Sequence, residues 1–389
     1  MNSRRDFLRQ AGAVCSVGAV APAVWRRAAA AAAARRDASI LVVVELTGGN
    51  DGLNTVVPFE DDIYRKSRPT LAVKPEKTLR LDDQTGLNDA LKDLHAFWDS
   101  GDLAVIRQVG YPNPNRSHFE SMAIWQSGVV GAPPPVGWLG RAADLYPGLV
   151  IRHVGPTSVP LAGQGRKTTP QSLAGLADFH LAAGAELEME DQSSGSDPIL
   201  ESIRERYRGS RDLLERLDAM PKDAGALPAA DTIQGRLETI RRLIAADSSA
   251  RVYYTSLDGF DTHSSQLYAH PRLLRSLAEG IAGFFKGLKA DRLDDRVAVL
   301  VFSEFGRRLK ENAGGGTDHG APGPVLLVGP GVKGGLVGPP PDLTRLDEVG
   351  DPLFAIDYRD VLAAVLHGWL GVDPKPVLGD RPGGAELFG

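Results

Sequence analysis

Short apolar runs recur along the chain and are separated by longer amphipathic stretches. The first run, Ile40–Leu46, is nearly continuous in β-branched residues and ends in a glycine-rich stretch. Runs that are apolar on both faces are typical of central strands in a parallel sheet, because helices cover both sides of such a sheet. The later runs of this kind are Leu103–Val109, Val252–Ser256, Val297–Phe302 and Pro324–Val328.

The stretches between these runs have helical character. They are Leu87–Asp99, Ser117–Gln126, Ile199–Met220, Thr232–Asp247, Pro271–Lys289 and Tyr358–Leu370. Alternation of strands and helices over this length predicts an α/β fold, with a doubly wound, mostly parallel sheet and helices on both faces. The charged segments Ile199–Met220 and Thr232–Asp247 are expected either to form a helical insertion near residues 197–247 or to pack as ordinary surface helices.

The composition is that of a globular protein. The chain has 389 residues, of which 42% are hydrophobic and 24% are charged. These proportions exclude a disordered or fibrous chain, and the length suffices for one large core. We therefore expect a single α/β domain over residues 37–389.

Residues 1–36 have the features of an export signal followed by an alanine-rich linker. The segment Ser3–Arg9, SRRDFLR, resembles a twin-arginine signal, and the uncharged stretch Ala11–Trp25 behind it is too short to span a bilayer comfortably. We expect recognition by the twin-arginine translocation machinery, cleavage within Ala21–Ala34, a periplasmic or secreted location, and no stable membrane span in the mature chain. The alternative is the amphipathic start of a cytoplasmic protein.

The net charge of −5 understates the acidity of the predicted domain. Of the 44 Lys and Arg and 49 Asp and Glu residues, seven arginines and Asp6 lie in the first 36 residues, which leaves 37 basic and 48 acidic residues, a charge of −11. An acidic domain lacks the basic surface of a nucleic-acid binder, so we expect no nucleic-acid partner. Small molecules or cations are the expected partners.

Acidic and histidine residues cluster directly after the apolar runs or in the glycine-rich loops between them. They are Asp51, Asp258, Asp261, His263, Glu304, Asp318 and His319. In an open parallel sheet, ligands bind outside the carboxyl ends of the strands, where such residues can meet. Carboxylate oxygen and imidazole nitrogen together bind divalent cations, so we predict a site for one or two metal ions. Taken singly, a carboxylate after a strand is more often a helix cap or a turn former than a ligand.

A second candidate element is the segment Asn113–Glu120. Ser117 has the position of a helix N-cap, with Glu120 three residues later as in a capping box. The same hydroxyl at a helix N-terminus could serve as a nucleophile in a positive field. Arg116 and Arg307 could clamp an oxyanion, although an arginine of this kind is more often a surface ion-pair partner.

These motifs together resemble a known family. The twin-arginine start is followed in order by GGNDG at 48–52, Ser117-His118-Phe119, GFDTH at 259–263, SEFGR at 303–307 and Asp318-His319. This ordered set looks like the exported bacterial family called domain of unknown function 1501. That family is similar in organisation to the alkaline phosphatase and sulfatase superfamily, and the resemblance spans roughly residues 39–370.

The resemblance implies two divalent metal ions, usually zinc, with manganese, magnesium or calcium as alternatives. By this resemblance Asp51, Ser117 and Glu304 surround one ion, while Asp261, His263 and His319 surround the other; Asp318 is a further candidate ligand. The chain departs from the superfamily in two places. Asp261 and His263 are more closely spaced than the usual pair, and Glu304-Phe305 stands where Asp-His is usual. His118 could take the role of Ser117.

The function implied is an exported metal-dependent hydrolase of phosphate or sulfate esters, acting on a small anionic or glycan-linked ester. The catalytic candidates are Ser117, His118 and Arg307. The alternative is a catalytically silent extracytoplasmic protein that binds an anion or a glycan on the same fold. The sequence contains neither a Gly-x-Ser-x-Gly elbow nor a Walker phosphate loop, which argues against a serine esterase and a Walker-type nucleotide site.

Overall fold

The structure is a computed structural model. It describes residues 39–156, 158–175, 213, 215–217, 219, 228–246, 249–380 and 386–389. The predicted export signal and most of the predicted helix Ile199–Met220 lie outside the described residues. Ser39–Gly389 forms one compact unit.

A nine-stranded sheet is the centre of this unit. The described strands are β1 (Ile40–Thr47), β2 (Val56–Val57), β3 (Thr78–Arg80), β4 (Gly86–Asn88), β5 (Leu103–Gly110), β6 (Val150–Val154), β7 (Gln171–Leu173), β8 (Ala250–Asp258), β9 (Val297–Ser303), β10 (Arg307–Glu311), β11 (Thr317–His319), β12 (Gly323–Val328), β13 (Gly335–Val337) and β14 (Ile356–Asp357). The large sheet has the order β13-β5-β12-β9-β1-β8-β6-β7, and β14 also pairs with β5. All its neighbours are parallel except β12, which runs antiparallel to β5 and β9.

Helices follow most of the strands. The described α-helices are α1 (Gly52–Thr55), α2 (Asp62–Ser67), α3 (Lys92–Ser100), α4 (His118–Ser127), α5 (Trp138–Leu145), α6 (Ile233–Ala245), α7 (Gln266–Asp291), α8 (Tyr358–Ala364) and α9 (Lys375–Leu378). Four short 3₁₀ segments lie at Pro75–Lys77, Asp89–Leu91, Leu161–Gly163 and Asp294–Arg296, and α8 continues as a π-helix over Val365–Trp369. Among the described helices, none combines the length and the apolar character needed to cross a bilayer.

The sheet separates two hydrophobic cores. Val42 and Val44 of β1 pack into one core with α3, α6 and α7. Leu41 and Val43 face the other core with α4, α5 and α8. Successive side chains of a strand point to opposite faces, so a run that is apolar at every position fills both cores. The predicted doubly wound, mostly parallel sheet with helices on both faces is confirmed.

The structure differs from the sequence prediction in detail. The short strands β6 and β7 extend the sheet on one side, and the sequence did not predict them. Helix α7 begins at Gln266, five residues before the predicted start at Pro271. Proline lacks an N–H donor and removes one helical hydrogen bond, but here it lies near the start of a 26-residue helix that tolerates this loss. The predicted start of α3 at Leu87 lies in the short strand β4, and a 3₁₀ turn separates this strand from α3.

The direction of β12 determines where the candidate residues meet. The carboxyl ends of the parallel strands β1, β8 and β9 lie at one edge of the sheet. Because β12 runs the opposite way, its amino-terminal end lies at that same edge. The residues before β12 therefore come to the same place as the residues after β1, β8 and β9.

Candidate metal centre

Glycine allows two loops to approach closely at this edge. Gly48, directly after β1, has a φ of +117°, and a Cβ atom there would lie 2.4 Å from the backbone nitrogen of Asp261. The Phe260 N–H donates to the Thr47 carbonyl at 3.1 Å and joins the same two loops. Only glycine fits at position 48, because any side chain would displace the loop that carries Asp261.

His118 is the first residue of α4, and its ring is oriented by a buried carboxylate. Its Nδ1 lies 2.8 Å from Oε1 of Glu304, which also accepts the Gly48 N–H at 2.8 Å. A carboxylate accepts hydrogen bonds, so Nδ1 carries the proton and Nε2 of the neutral ring has the lone pair. This bond raises the pKa of His118. Nε2 is buried without a hydrogen-bond partner and lies 3.5 Å from Oδ2 of Asp261.

His319 and His263 are held in the same way. Nδ1 of His319 donates to the Arg116 carbonyl at 2.8 Å, and Nδ1 of His263 donates to Oδ1 of Asp318 at 3.3 Å. With Nδ1 as the donor, the neutral form of each ring presents an Nε2 lone pair, and these two Nε2 atoms are 2.9 Å apart. Two lone pairs at that distance repel each other unless a proton or a cation lies between them.

Asp261 is the carboxylate toward which the three imidazoles converge. Its Oδ1 lies 3.1 Å from Nε2 of both His263 and His319 and accepts from Nη2 of Arg307 at 2.6 Å. Burial acts to raise the pKa of Asp261, but the opposing effects, led by the hydrogen bond and the charge of Arg307, lower the pKa to about 2. The group is therefore an anion at any physiological pH.

We call His118, Asp261, His263 and His319 the His–Asp cluster. One ligand atom from each of His118, Asp261 and His319 lies within 4.8 Å of the others, and Nε2 of His263 lies 3.1 Å from Oδ1 of Asp261. Three imidazole nitrogens and one carboxylate oxygen are a donor set that zinc accepts. The orphaned Nε2 of His118 and the facing Nε2 atoms of the other two rings fit a cation.

Two predicted ligands, Glu304 and Asp318, orient the imidazoles instead. The second oxygen of the buried Glu304 accepts from the Ser303 hydroxyl at 2.8 Å. Asp318 also accepts from Nδ2 of Asn312 at 3.0 Å, and this hydrogen bond is the main cause of its lowered pKa. A carboxylate behind a ligating histidine fixes the ring and its tautomer.

The structure does not bring Asp51 into the His–Asp cluster. Asp51 is the N-cap of α1, where Oδ1 accepts the Asn54 N–H at 3.3 Å. Its Oδ2 accepts from Nη1 of Arg68 at 2.6 Å and from Nε2 of Gln266. Burial acts to raise the pKa of Asp51, but the charge of Arg68 and the hydrogen bonds from Arg68 and Gln266, together with His270, outweigh it and the pKa is lowered. The predicted metal ligand is therefore half of a fully buried ion pair.

Arg307 does not match its predicted role as an oxyanion clamp. It is buried, and each of its three guanidinium nitrogens donates to protein oxygens. The acceptors are Asp261 and the carbonyls of Gly48, Gly49, Phe260 and Thr317. Arg307 thus ties the loops after β1 and β8 to β11. Arg116 is likewise engaged, by Asp347 and Asp351.

Ser117 lies beside the His–Asp cluster in sequence and is exposed. It is the N-cap of α4, which confirms the predicted helix start, but its side chain makes no capping hydrogen bond. The Ser117 N–H instead donates to Oδ1 of Asn115 at 2.8 Å. The predicted capping box is therefore absent, and the hydroxyl is not engaged in a cap.

Two polar residues near this edge were not predicted. Arg68 is buried and pairs with Asp51. The polar sequence around Arg68 is typical of an exposed loop and gives no sign of this burial. Glu45, inside β1, is buried and accepts hydrogen bonds from Tyr254 and Gln126. Burial raises the pKa of Glu45 to about 7. An acidic residue within an apolar run was the available signal for Glu45.

Comparisons with known proteins give one family and several solved structures. The model of the family described as "Protein of unknown function (DUF1501)" matches residues 111–384. No curated protein sequence matches the chain. The fold is similar to that of a protein in the alkaline phosphatase superfamily from Vibrio parahaemolyticus, with a TM-score of 0.42 and 9% identity over 89% of this chain and 70% of that chain.

Two further solved structures are similar. One is the C-terminal periplasmic domain of EcEptC from Escherichia coli in complex with zinc, with a TM-score of 0.38 and 10% identity over 75% of this chain and 73% of that chain. The other is the lipoteichoic acid synthase LtaP from Listeria monocytogenes, with a TM-score of 0.37 and 8% identity over 90% of this chain and 75% of that chain.

Proposed function

The chain belongs to the DUF1501 family, and we propose that it is an exported, metal-dependent hydrolase of phosphate or sulfate esters. The observation that carries this proposal is the convergence of three imidazole Nε2 atoms on the Asp261 carboxylate, with every Nδ1 atom already donating to another oxygen. Three nitrogen lone pairs that face one carboxylate favour a bound cation over a structural hydrogen-bond network.

The His–Asp cluster would hold the ion through His118, Asp261, His263 and His319. Zinc suits this donor set best, and manganese, magnesium and calcium are alternatives. When bound, a divalent ion supplies Lewis-acid polarisation of an ester oxygen and neutralises its charge.

The remaining chemistry belongs to side chains of this chain. Glu304, Asp318 and the Arg116 carbonyl keep the three imidazoles in one tautomer. Ser117 places an exposed hydroxyl at the N-terminus of α4, where the free N–H groups of a helix favour an anionic oxygen. Ser117 is thus the proposed nucleophile, and a small anionic or glycan-linked ester is the proposed substrate class.

The proposal is tested by metal content and turnover together. The purified protein is supplemented with zinc or manganese and assayed on panels of aryl phosphates and aryl sulfates. We expect bound metal and turnover in the wild type, and a loss in kcat/KM of at least about 100-fold in His319→Ala. Ser117→Ala should lose turnover while it keeps the metal.

The matched control is His367→Ala, because His367 is an exposed histidine in the π-helical segment. It should retain both metal and turnover. The hydrolase proposal fails for these substrates if wild-type turnover is no greater than that of a Ser117→Ala, His319→Ala double variant.

One observation favours a second candidate, a silent binding protein. Arg116 and Arg307, the two arginines predicted to clamp an oxyanion, are engaged by protein acceptors and so do not serve to stabilise the charge that develops during ester hydrolysis. A protein of that kind would bind metal and hold an anion or a glycan without turnover. Calorimetric titration of the metal-loaded protein with inorganic phosphate, sulfate and a sulfated oligosaccharide distinguishes the two, since only the binding protein gives saturable binding with no turnover on any ester.

Export is proposed from the sequence of residues 1–36. Replacement of both Arg4 and Arg5 by lysine should retain the protein in the cytoplasm, because twin-arginine recognition depends on the arginine pair. Cell fractionation of the two forms measures this, and equal periplasmic yields would refute the signal.

A further inference from the structure

We infer that this centre holds a single divalent ion, and that the buried Arg68 guanidinium takes the place of a second cation beside Asp51; this inference rests on the proposed function. The sequence pattern allowed one or two ions, with Asp51 and Glu304 as ligands of a second. The contacts of these two carboxylates decide between the two possibilities.

Asp51 is already neutralised by a cation of the chain itself. The Asp51 and Arg68 side chains are both 0% exposed, and Nη1 of Arg68 lies 2.6 Å from Oδ2 of Asp51. Nε and Nη2 of Arg68 donate to the carbonyls of Leu309 and Arg308 at 2.9 and 2.8 Å. Arg68 is therefore fixed from three sides. A metal ion at Asp51 would have to displace a buried guanidinium whose three nitrogens all donate hydrogen bonds, and the loss of its partner would leave that charge buried and unpaired.

Glu304 offers no place for a second ion either. Its two oxygens accept from His118, from the Gly48 N–H and from the Ser303 hydroxyl. The next residue, Phe305, is buried, and its ring centroid lies 4.9 Å from that of His118 and 5.0 Å from that of His319. An apolar ring thus fills the space beside two of the proposed ligands and contributes no donor atom.

The charge of the immediate surroundings matches one ion. Asp261 and the side chains bonded to the His–Asp cluster, namely Glu304, Asp318 and Arg307, comprise three carboxylates and one guanidinium, a net charge of −2. One divalent ion neutralises this set. A second would leave two uncompensated positive charges in a partly buried site, and buried unpaired charge is strongly unfavourable.

The number of ions is measured on the purified full-length protein by elemental analysis and by calorimetric titration with zinc or manganese. We expect one ion per chain at saturation. The manganese form should give the six-line electron paramagnetic resonance spectrum of an isolated ion, whereas two ions about 3.5–4 Å apart would be magnetically coupled. Two ions per chain, or a coupled spectrum, would overturn this inference and leave the hydrolase proposal intact. No bound ion would refute both.

Two matched substitutions of aspartate by asparagine test the assignment of Asp51. Asp51→Asn should keep one ion per chain with an affinity within about 3-fold of the wild type, while Asp261→Asn should lose at least about 100-fold in affinity. A comparable loss in Asp51→Asn, in a variant whose circular dichroism is native, would show that Asp51 is a ligand. If Asp51→Asn does not fold, the wild-type ion count still decides the question.

Discussion

At the scale of single residues, the partner of each Nδ1 atom determines what its imidazole can do. A ring whose Nδ1 donates to a carboxylate or a carbonyl has its Nε2 lone pair free for a metal ion or a proton. Glu304, Asp318 and the Arg116 carbonyl have this effect on His118, His263 and His319. These partners, which do not face the ion, therefore contribute to the metal affinity of the site.

Glu304→Gln tests the effect of the carboxylate behind His118. The amide can still accept a hydrogen bond, but it lacks the charge that orients the ring and increases its basicity. We expect metal affinity to fall by about 10- to 100-fold with the fold intact. Competition with a chromophoric chelator measures the affinity.

The control for this substitution is Glu311→Gln, because Glu311 accepts hydrogen bonds from Thr70 and the Leu71 N–H and has no contact with the His–Asp cluster. Equal losses of affinity in the two variants would contradict a specific effect of Glu304.

Glu45→Gln should change how stability depends on pH. Burial raises the pKa of Glu45 from 4.5 to about 7 in the folded protein, so between these values the folded state binds a proton that the unfolded state has released. The contribution of Glu45 to the free energy of unfolding is thus fully present below about pH 4.5 and is lost as pH rises toward 7. The loss of stability over this range amounts to about 3 kcal/mol.

A glutamine at position 45 mimics the protonated acid, so the stability of the variant relative to the wild type should increase between pH 5 and pH 8. Urea unfolding at several pH values measures this difference. A constant difference across that range would show that Glu45 does not titrate with a raised pKa.

At the scale of elements, close backbone contacts position the His263 loop against the β10–β11 hairpin. A Cβ atom at Gly316 would lie 2.2 Å from the Thr262 carbonyl oxygen and 2.3 Å from the His263 carbonyl carbon. Asn312 Nδ2 donates to the His263 carbonyl at 3.1 Å and to Asp318 at 3.0 Å. The hairpin therefore determines the position of one proposed ligand and of its carboxylate partner.

Gly316→Ala should lower both stability and metal affinity, because the backbone clash pushes the His263 loop away from His319. Gly283→Ala in α7 is the matched control. Its Cβ atom meets nothing within 4 Å, and alanine favours a helix over glycine by about 0.5–1 kcal/mol. Thermal unfolding and metal titration should show a destabilised, weakly binding Gly316 variant and a slightly stabilised Gly283 variant with unchanged affinity. A stabilised Gly316→Ala variant with unchanged affinity, together with a destabilised, weakly binding Gly283→Ala variant, would exclude this role of the hairpin.

At the scale of the whole molecule, the proposed ion joins segments that belong to or follow three different strands. His118 follows β5, Asp261 and His263 follow β8, and His319 ends β11. A ligand that binds only the folded state stabilises it by mass action. Metal binding should therefore increase the stability of the whole fold and not only the order of the loops around the ion.

Chelation should lower the melting temperature of the wild type. Metal at 100 times its Kd contributes about 2.7 kcal/mol, or roughly 3–4 °C for a domain of this size. His319→Ala should melt at the same temperature with and without chelator. Differential scanning calorimetry checks this, and an unchanged wild-type melting temperature after verified metal removal would contradict the proposed link between the ion and the fold.

The sequence by itself determined the sheet and included the residues of the His–Asp cluster among its candidates. Runs such as Ile40–Leu46 can be buried only between two layers of helices, so the doubly wound sheet follows from hydrophobicity alone. The positions of Asp261, His263 and His319 next to such runs indicated a site at one edge of the sheet. Local patterns suffice for these conclusions. The burial of a strand, and the binding of ligands at the carboxyl ends of strands, can both be inferred from neighbouring residues.

Only the tertiary structure decided which candidates face one another. The antiparallel direction of β12 brings Asp318 and His319 to the edge reached by the parallel strands. Arg68 pairs with Asp51 and so removes it from the His–Asp cluster. Strand direction and ion pairing depend on residues far apart in the chain, and the free energy of a buried charge is fixed by the partner that reaches it, which no local pattern records.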